Sequence, residues 1–369
     1  MDGQRKGLNN FQRNLFLMKP KNRICAALYH EEPDKVPDSR DIVGICSVLD
    51  REILISGANF TIWRSPFGSI HIDYVNPSTG SSFLSTSDEW WVAPENFVWW
   101  YTIAPAVRWP EDLDKIEPPK IDEKKIDKAK KIAKNLHEKG YFTVISHHTA
   151  FDSSWRYLRG LKQWLIDIRR DMQFARRVVE FAIKPQIEIT NVLLEETKAD
   201  AVYVTGDLGT PRGPFISPQT YEELIYPWDQ RMNQSYHKHG AFVFIHSHGY
   251  IMPLLDKIIM AGFDCINPVS PLCRMSLSEL KEKYGDKISF HAELTVRMKS
   301  GEDIDTLRYS QILYSKLSRE KIDALKYTVE VGAPGGGFIF AHILRGESEE
   351  EKAYMREWEK IRRYSKLKS

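Results

Sequence analysis

Two histidines one residue apart, His246-Ser-His248, close a run of β-formers, Phe242-Val-Phe-Ile. Side chains at i and i+2 of a strand point the same way, so two imidazoles can share one ion there. A divalent metal, zinc first among them, needs at least one more ligand. His291, Glu293, His342 and His148 also stand at the ends of β-rich runs and are candidates if their strands adjoin. Such an all-N/O shell would act as a Lewis acid, polarising a substrate oxygen or activating a water. The alternative is that these histidines hydrogen-bond in a polar mouth without an ion, and residue types alone leave both open.

Asp207 and His148 are the candidates for direct catalysis. Asp207 ends Ala201-Val-Tyr-Val-Thr-Gly. It could act as a base, orient a substrate donor, hold a histidine N–H, or cap the next turn. In His147-His148 one ring must face a mouth and the other a wall, and His148 is taken as the working member. Tyr203 is expected in the core. Arg156, Arg159 and Arg345 could bring positive charge near the mouth, and Gly335-Gly-Gly337 could admit a backbone or a phosphate, although tight packing explains it equally.

Residues so far apart in sequence need one kind of scaffold. Six apolar runs end at His147-His148, Asp207, His246-Ser-His248, Asn267, His291-Ala-Glu293 and His342, with amphipathic stretches between most of them. Parallel strands buried on both faces, closed as a (β/α) TIM barrel, produce that pattern and bring the C-terminal ends to one mouth. The helical period over 122–139 sets Ile126, Ala129, Ile132, Ala133 and Leu136 on one face. Residues 60–109 hold six of the ten tryptophans and many β-formers. They are expected to form a Trp-rich β insertion over the mouth, either a lid or a packed extra sheet. A flexible arm is expected over 1–20, the barrel over 21–360, and a frayed tail over 361–369.

Composition bounds the partners. A net charge of +2 over 369 residues gives no reason to expect nucleic acid or an anionic membrane. No apolar run approaches the roughly 20 residues of a membrane span. Four cysteines without a CxxC spacing point to reduced thiols and a cytoplasmic protein. A small molecule is the expected partner, and the oligomeric state is left open.

Several segments carry a resemblance. Arg23-Ile-Cys-Ala-Ala-Leu28 precedes Pro33-Asp-Lys-Val-Pro37, and Gly206-Asp207-Leu-Gly-Thr precedes Gly213-Pro-Phe-Ile-Ser-Pro218. His246-Ser-His248-Gly249 and Gly335-Gly-Gly-Phe-Ile-Phe340 follow. In order and spacing these resemble the uroporphyrinogen decarboxylase superfamily, which includes cobamide-dependent methyltransferases, over about residues 21–345. The resemblance implies a (β/α)8 barrel. It also shows departures. The decarboxylases carry an arginine-rich segment near the N-terminus, where this chain offers only Arg40, and one guanidinium neutralises a polycarboxylate poorly. The zinc methyltransferases use His-x-Cys and a later Cys, where this chain has His248 and the Gly335 run.

The leading expectation is therefore metal-assisted methyl transfer involving a small methylated compound or a methyl-corrinoid, with a corrinoid or corrinoid protein as methyl carrier. The tryptophans suit a quaternary amine or an aryl methyl ether. One alternative is decarboxylation of a carboxylate-bearing tetrapyrrole or other cyclic substrate, with Asp207 stabilising a pyrrole-like cation. The other is a ligand-binding barrel without catalysis.

Overall fold

The computed structural model describes residues 18–57, 60–74, 100–297, 309, 311–313, 317–341 and 348–363. The chain enters through a helix, Pro20–Leu28, and reaches strand β1 (Ile42–Ser47). Four antiparallel strands follow: β2 (Glu52–Ser56), β3 (Phe60–Arg64), β4 (Ile70–Tyr74) and β5 (Trp100–Ala104). Strand–helix alternation then begins with β6 (Phe142–His148) and β7 (Ala201–Thr205). A two-stranded turn, β8 (Gly209–Thr210) and β9 (Gly213–Pro214), precedes β10 (Phe242–His246), β11 (Cys265–Val269), β12 (Ser289–Ala292) and β13 (Phe338–Phe340).

Strands β1, β6, β7, β10, β11, β12 and β13 form one parallel sheet in that spatial order. The sheet curls until its ends approach. Phe340 bridges Asp38 in parallel, and its N–H donates to the Pro37 carbonyl at 2.9 Å. Seven strands are present among the described residues, where eight were expected. The Pro37–Asp38 pairing spans the junction between β13 and β1. Asp38 is fully buried there. It accepts from Trp358 Nε1 at 2.8 Å and from Arg40 Nη2 at 2.6 Å, and pairs with Arg362 Nη1 at 2.7 Å. Arg362 also donates through Nε to the Val36 carbonyl at 2.8 Å. Residues Ile361 and Arg362 are thus core, and the expected tail begins later than 361; residues 364–369 lie outside the described set.

Alternation along each strand decides what faces inward. Phe142, Val144, Ala201, Phe244, Cys265 and Ile339 pack with Ile24, Ala27 and Leu28 of the first helix, which closes the N-terminal end of the barrel. Two residues further along the same inward register come Ser146, Tyr203, His246 and Asn267. The interior thus changes from apolar to polar toward the C-terminal ends. Outside the sheet, the helix expected over 122–139 runs Glu123–Glu138, capped by Asp122 and burying Ala129 and Ala133.

The antiparallel sheet is tied to the turn after β6. Ser69 Oγ donates to the Tyr157 carbonyl at 2.6 Å, and Val107 N to that of Leu158 at 3.0 Å. Arg159 Nη1 donates to the Val107 carbonyl at 2.7 Å, while Nε and Nη2 grip Asp167. Arg159 is therefore a buried strut and supplies no charge to the mouth. Of the tryptophans in the insertion expected over 60–109, Trp63 is buried against His71 and Trp109 is 68% exposed. Trp90, Trp91 and Trp99 lie outside the described residues.

Gly335-Gly-Gly337 sits at the other end of the barrel from the strand-end histidines. All three glycines have φ between +66° and +73°, which side chains resist. A Cβ on Gly336 would overlap the His30–Glu31 backbone. The run admits the chain's own backbone, beneath β13, and has no part in the mouth.

Candidate functional site

At the C-terminal ends of the strands lies a cavity of about 400 Å³, the end of such barrels where ligands bind. Its polar lining comes from His246, His248, Asn267, His291 and Glu293, with Ser39 and Ser146 beside them. Ile42, Val144, Tyr203 and Pro268 supply the apolar part. No lysine or arginine lines it among the described residues. Arg40, the one arginine available to a carboxylate substrate near the N-terminus, is directed elsewhere, to Asp38 and to Glu359 Oε1 at 2.8 Å.

One hydrogen-bonded row runs across the strand ends. His246 Nδ1 meets Asn267 Oδ1 at 2.6 Å, Asn267 Nδ2 meets His291 Nδ1 at 2.8 Å, and His291 Nε2 meets Ser39 Oγ at 2.9 Å. Register explains the row: His246 pairs with Asn267 between β10 and β11, and His291 follows on β12. Both ring nitrogens of His291 are engaged, which places it as a support rather than as a ligand.

His248 lies just past β10, its ring edge-on to that of His246 at 5.1 Å between centroids. Its backbone N–H donates to Asp207 Oδ1 at 2.8 Å. Asp207 therefore clamps the His246–His248 turn from β7 and is not among the cavity-lining residues. The His248 Nδ1 stands 3.8 Å from Cys273 Sγ, which accepts from Gly249 N–H at 3.1 Å. Burial first, and then the adjacent His246, push the His248 pKa down to about 4 against the opposing pull of Asp207. The ring is neutral at pH 7, the form that binds a metal. Glu293 accepts from Ser270 Oγ at 2.6 Å.

The turn depends on Gly249, at φ +91°. A Cβ there would overlap the Gly209 carbonyl. Gly249→Ala is expected to lose about 2–5 kcal/mol, combining left-handed strain with overpacking. Chemical denaturation checks this, and a variant as stable as the wild type would mean that the Gly209 loop yields freely.

The two remaining histidine candidates part company. His147 turns to the wall, with Nδ1 on the His148 carbonyl at 2.8 Å and Nε2 on Tyr236 OH at 2.8 Å. His148 forms a separate group at the rim: its Nδ1 is 2.9 Å from Asp152 Oδ2, which Arg156 Nε also reaches at 2.7 Å. Burial opposes ionisation of Asp152, but Arg156 and His148 prevail and hold its pKa down to about 2. His148 is not among the residues lining the cavity. His342 and Arg345 lie outside the described residues. Among the described residues no three His, Cys, Asp or Glu side chains are grouped to hold a metal. Sequence reading missed Ser39, Cys273 and the cavity face of Tyr203, and gave Asn267 no role although it ends an apolar run.

No helix among the described residues is long and apolar enough to cross a membrane. No curated protein matches the chain. Among solved structures, a methyltransferase from Methanosarcina mazei superposes with a TM-score of 0.57 at 16% identity, covering 95% of this chain and 100% of that one. That likeness is one of fold. The 3-keto-D-glucoside 4-epimerase YcjR from E. coli matches at a TM-score of 0.37 and 13% identity, over 65% of this chain and 84% of that one. The family model described as uroporphyrinogen decarboxylase (URO-D) matches residues 102–289. That match takes in just over half of the chain and every strand from β6 through to the start of β12, so the chain belongs to the uroporphyrinogen decarboxylase family.

Proposed function

We propose that this chain is a methyltransferase-like enzyme of its family, acting on a small methylated compound or a methyl-corrinoid, with a divalent metal at His246 and His248. The observation that carries the reading is the inward-facing His-x-His pair, with a hydrogen-bond acceptor fixed behind His246 Nδ1. Metal-ligating histidines use such a partner on the second ring nitrogen. These two rings would supply nitrogen donors, and burial keeps that of His248 neutral. The third donor would be Glu293, which lines the same cavity, or His342. A bound zinc or similar ion would polarise the heteroatom from which the methyl group departs.

The chain's own residues would do the rest. Asp207 holds the His248 backbone in place, Tyr203 and Pro268 offer the methyl-bearing part an apolar wall, and His148 with Asp152 stands at the rim for proton exchange with solvent. A corrinoid, delivered on a partner protein, is the proposed methyl carrier. A polycarboxylate substrate is disfavoured by the lack of a lining cation among the described residues and by the pairing of Arg40 with Asp38 and Glu359.

The test joins elemental analysis to activity. Wild-type protein purified without chelator is expected to hold near-stoichiometric zinc, manganese, iron or cobalt. The His246→Ala/His248→Ala variant should lose that metal. Its methyl transfer to reduced cobalamin should fall at least about 100-fold, since losing ligands costs more than losing their outer partners. A wild type that stays metal-free after reconstitution, or a variant that retains its metal, would sink this mechanism.

A further inference from the structure

We infer that Asn267 is a positioning residue that fixes the tautomer of His246 and so presents its bare Nε2 for chemistry. The inference rests on the reading of His246 as the working imidazole. The argument follows from the polarity of a carboxamide: its oxygen can only accept and its nitrogen only donate. With Oδ1 at 2.6 Å from His246 Nδ1, that nitrogen must carry the proton. Nε2 of a neutral His246 is then the lone pair. With Nδ2 at 2.8 Å from His291 Nδ1, that nitrogen must be bare, so a neutral His291 carries its proton on Nε2. Nε2–H in turn donates to Ser39 Oγ at 2.9 Å, and Ser39 donates on to the Phe340 carbonyl at 3.4 Å.

Two imidazoles on β10 and β12, either side of β11, thus hold opposite tautomers, set by the single amide between them. The row is well supported at its far end. Ser39 sits in the short helical turn Ser39–Asp41, beside the Asp38–Phe340 bridge that joins the two ends of the sheet. Asn267 is 6% exposed and His291 5% exposed, so water cannot easily exchange the roles. His246 makes no hydrogen bond through Nε2 among the described residues, which suits a nitrogen kept for a ligand or a proton.

Nitrogen-15 NMR of the imidazoles in the whole protein tests this without metal or turnover. In the wild type His246 should show a protonated Nδ1 and a bare Nε2, and His291 the reverse. Asn267→Ala should release His246 into a mixture of both forms. Asn267→Asp should restore Nδ1–H on His246, because a carboxylate oxygen still accepts, while moving a proton onto His291 Nδ1. The His147 ring, whose Nδ1 faces the His148 carbonyl, is the internal control for an intact barrel and should not change in any variant. A wild-type His246 protonated on Nε2 overturns the inference. So does an Asn267→Ala variant with unchanged His246 and His147 signals. Zinc titration provides the second readout, with affinity expected to fall about 10–100-fold in Asn267→Ala and to recover in Asn267→Asp. If the wild type shows the assigned tautomers and binds no zinc, the metal reading fails while the positioning role stands.

Discussion

Replacing Asp229 with Asn should stabilise the protein relative to the wild type as the solution becomes more alkaline, by about 3 kcal/mol between pH 4.5 and pH 8. Asp229 lies on the helix Tyr226–His237 and is 1% exposed. Its Oδ2 accepts from Tyr221 OH at 2.6 Å, and its Oδ1 has no hydrogen-bond partner among the described residues. Burial raises its pKa to about 7, and the Tyr221 hydroxyl only partly opposes this. The sign follows from linkage. Below pH 3.8 both folded and unfolded chains hold the proton, and the carboxyl's contribution is complete. Between 3.8 and about 7 only the folded chain holds it, so stability falls by about 1.4 kcal/mol for each pH unit and then levels off. Asn has no such proton. Urea denaturation of both proteins at several pH values measures the difference, and a constant offset would show that Asp229 does not titrate in this window.

Arg362→Met should cost about 3–5 kcal/mol, the usual consequence of removing one partner from a buried ionic group. The guanidinium pairs with Asp38 at 2.7 Å and Asp41 at 3.2 Å, with all three side chains at most 12% exposed. Burial, and then Asp38, already hold the Asp41 pKa above its ordinary value despite Arg362 and Arg23. Without Arg362 the carboxylates repel more strongly, so Arg362→Met/Asp41→Asn should recover part of the loss. Ser39 lies between these two aspartates, so the damage should reach the His291 end of the hydrogen-bonded row. Denaturant unfolding gives the stability. A loss below about 1 kcal/mol, or no recovery in the double variant, would mean that the network is dispensable.

The strand ends were readable because β-former runs and polar closures alternate at a spacing that parallel strands require. Three of the six runs end in residues that line the cavity, at His246 and His248, at Asn267, and at His291 and Glu293; the separation of His147 from His148 follows from strand alternation alone. What failed to show were roles that depend on distance through space. Asn267 ended a run in plain view, but its meaning comes from the two histidines that register sets on either side. Ser39 and Cys273 lie in turns, where no period marks a residue. Gly335-Gly-Gly337 had the composition of a ligand loop and proved to stand below its strand, where His30 presses against it. Arg159 looked like spare charge until Asp167 and the Val107 carbonyl were seen around it. The eighth strand was an expectation from the family resemblance. In its place the Pro37–Asp38 pairing with Phe340 spans the gap, which no apolar run announces.

That junction also sets an order of events during synthesis. The segment carrying Val36, Asp38 and Asp41 leaves the ribosome more than 300 residues ahead of its partners Trp358 and Arg362. Contacts of such sequence separation form late and slowly, because a long loop must close before any of them is rewarded. Ser39, which lines the pocket, stands between Asp38 and Asp41, so that part of the wall is fixed only once Trp358 and Arg362 have been made.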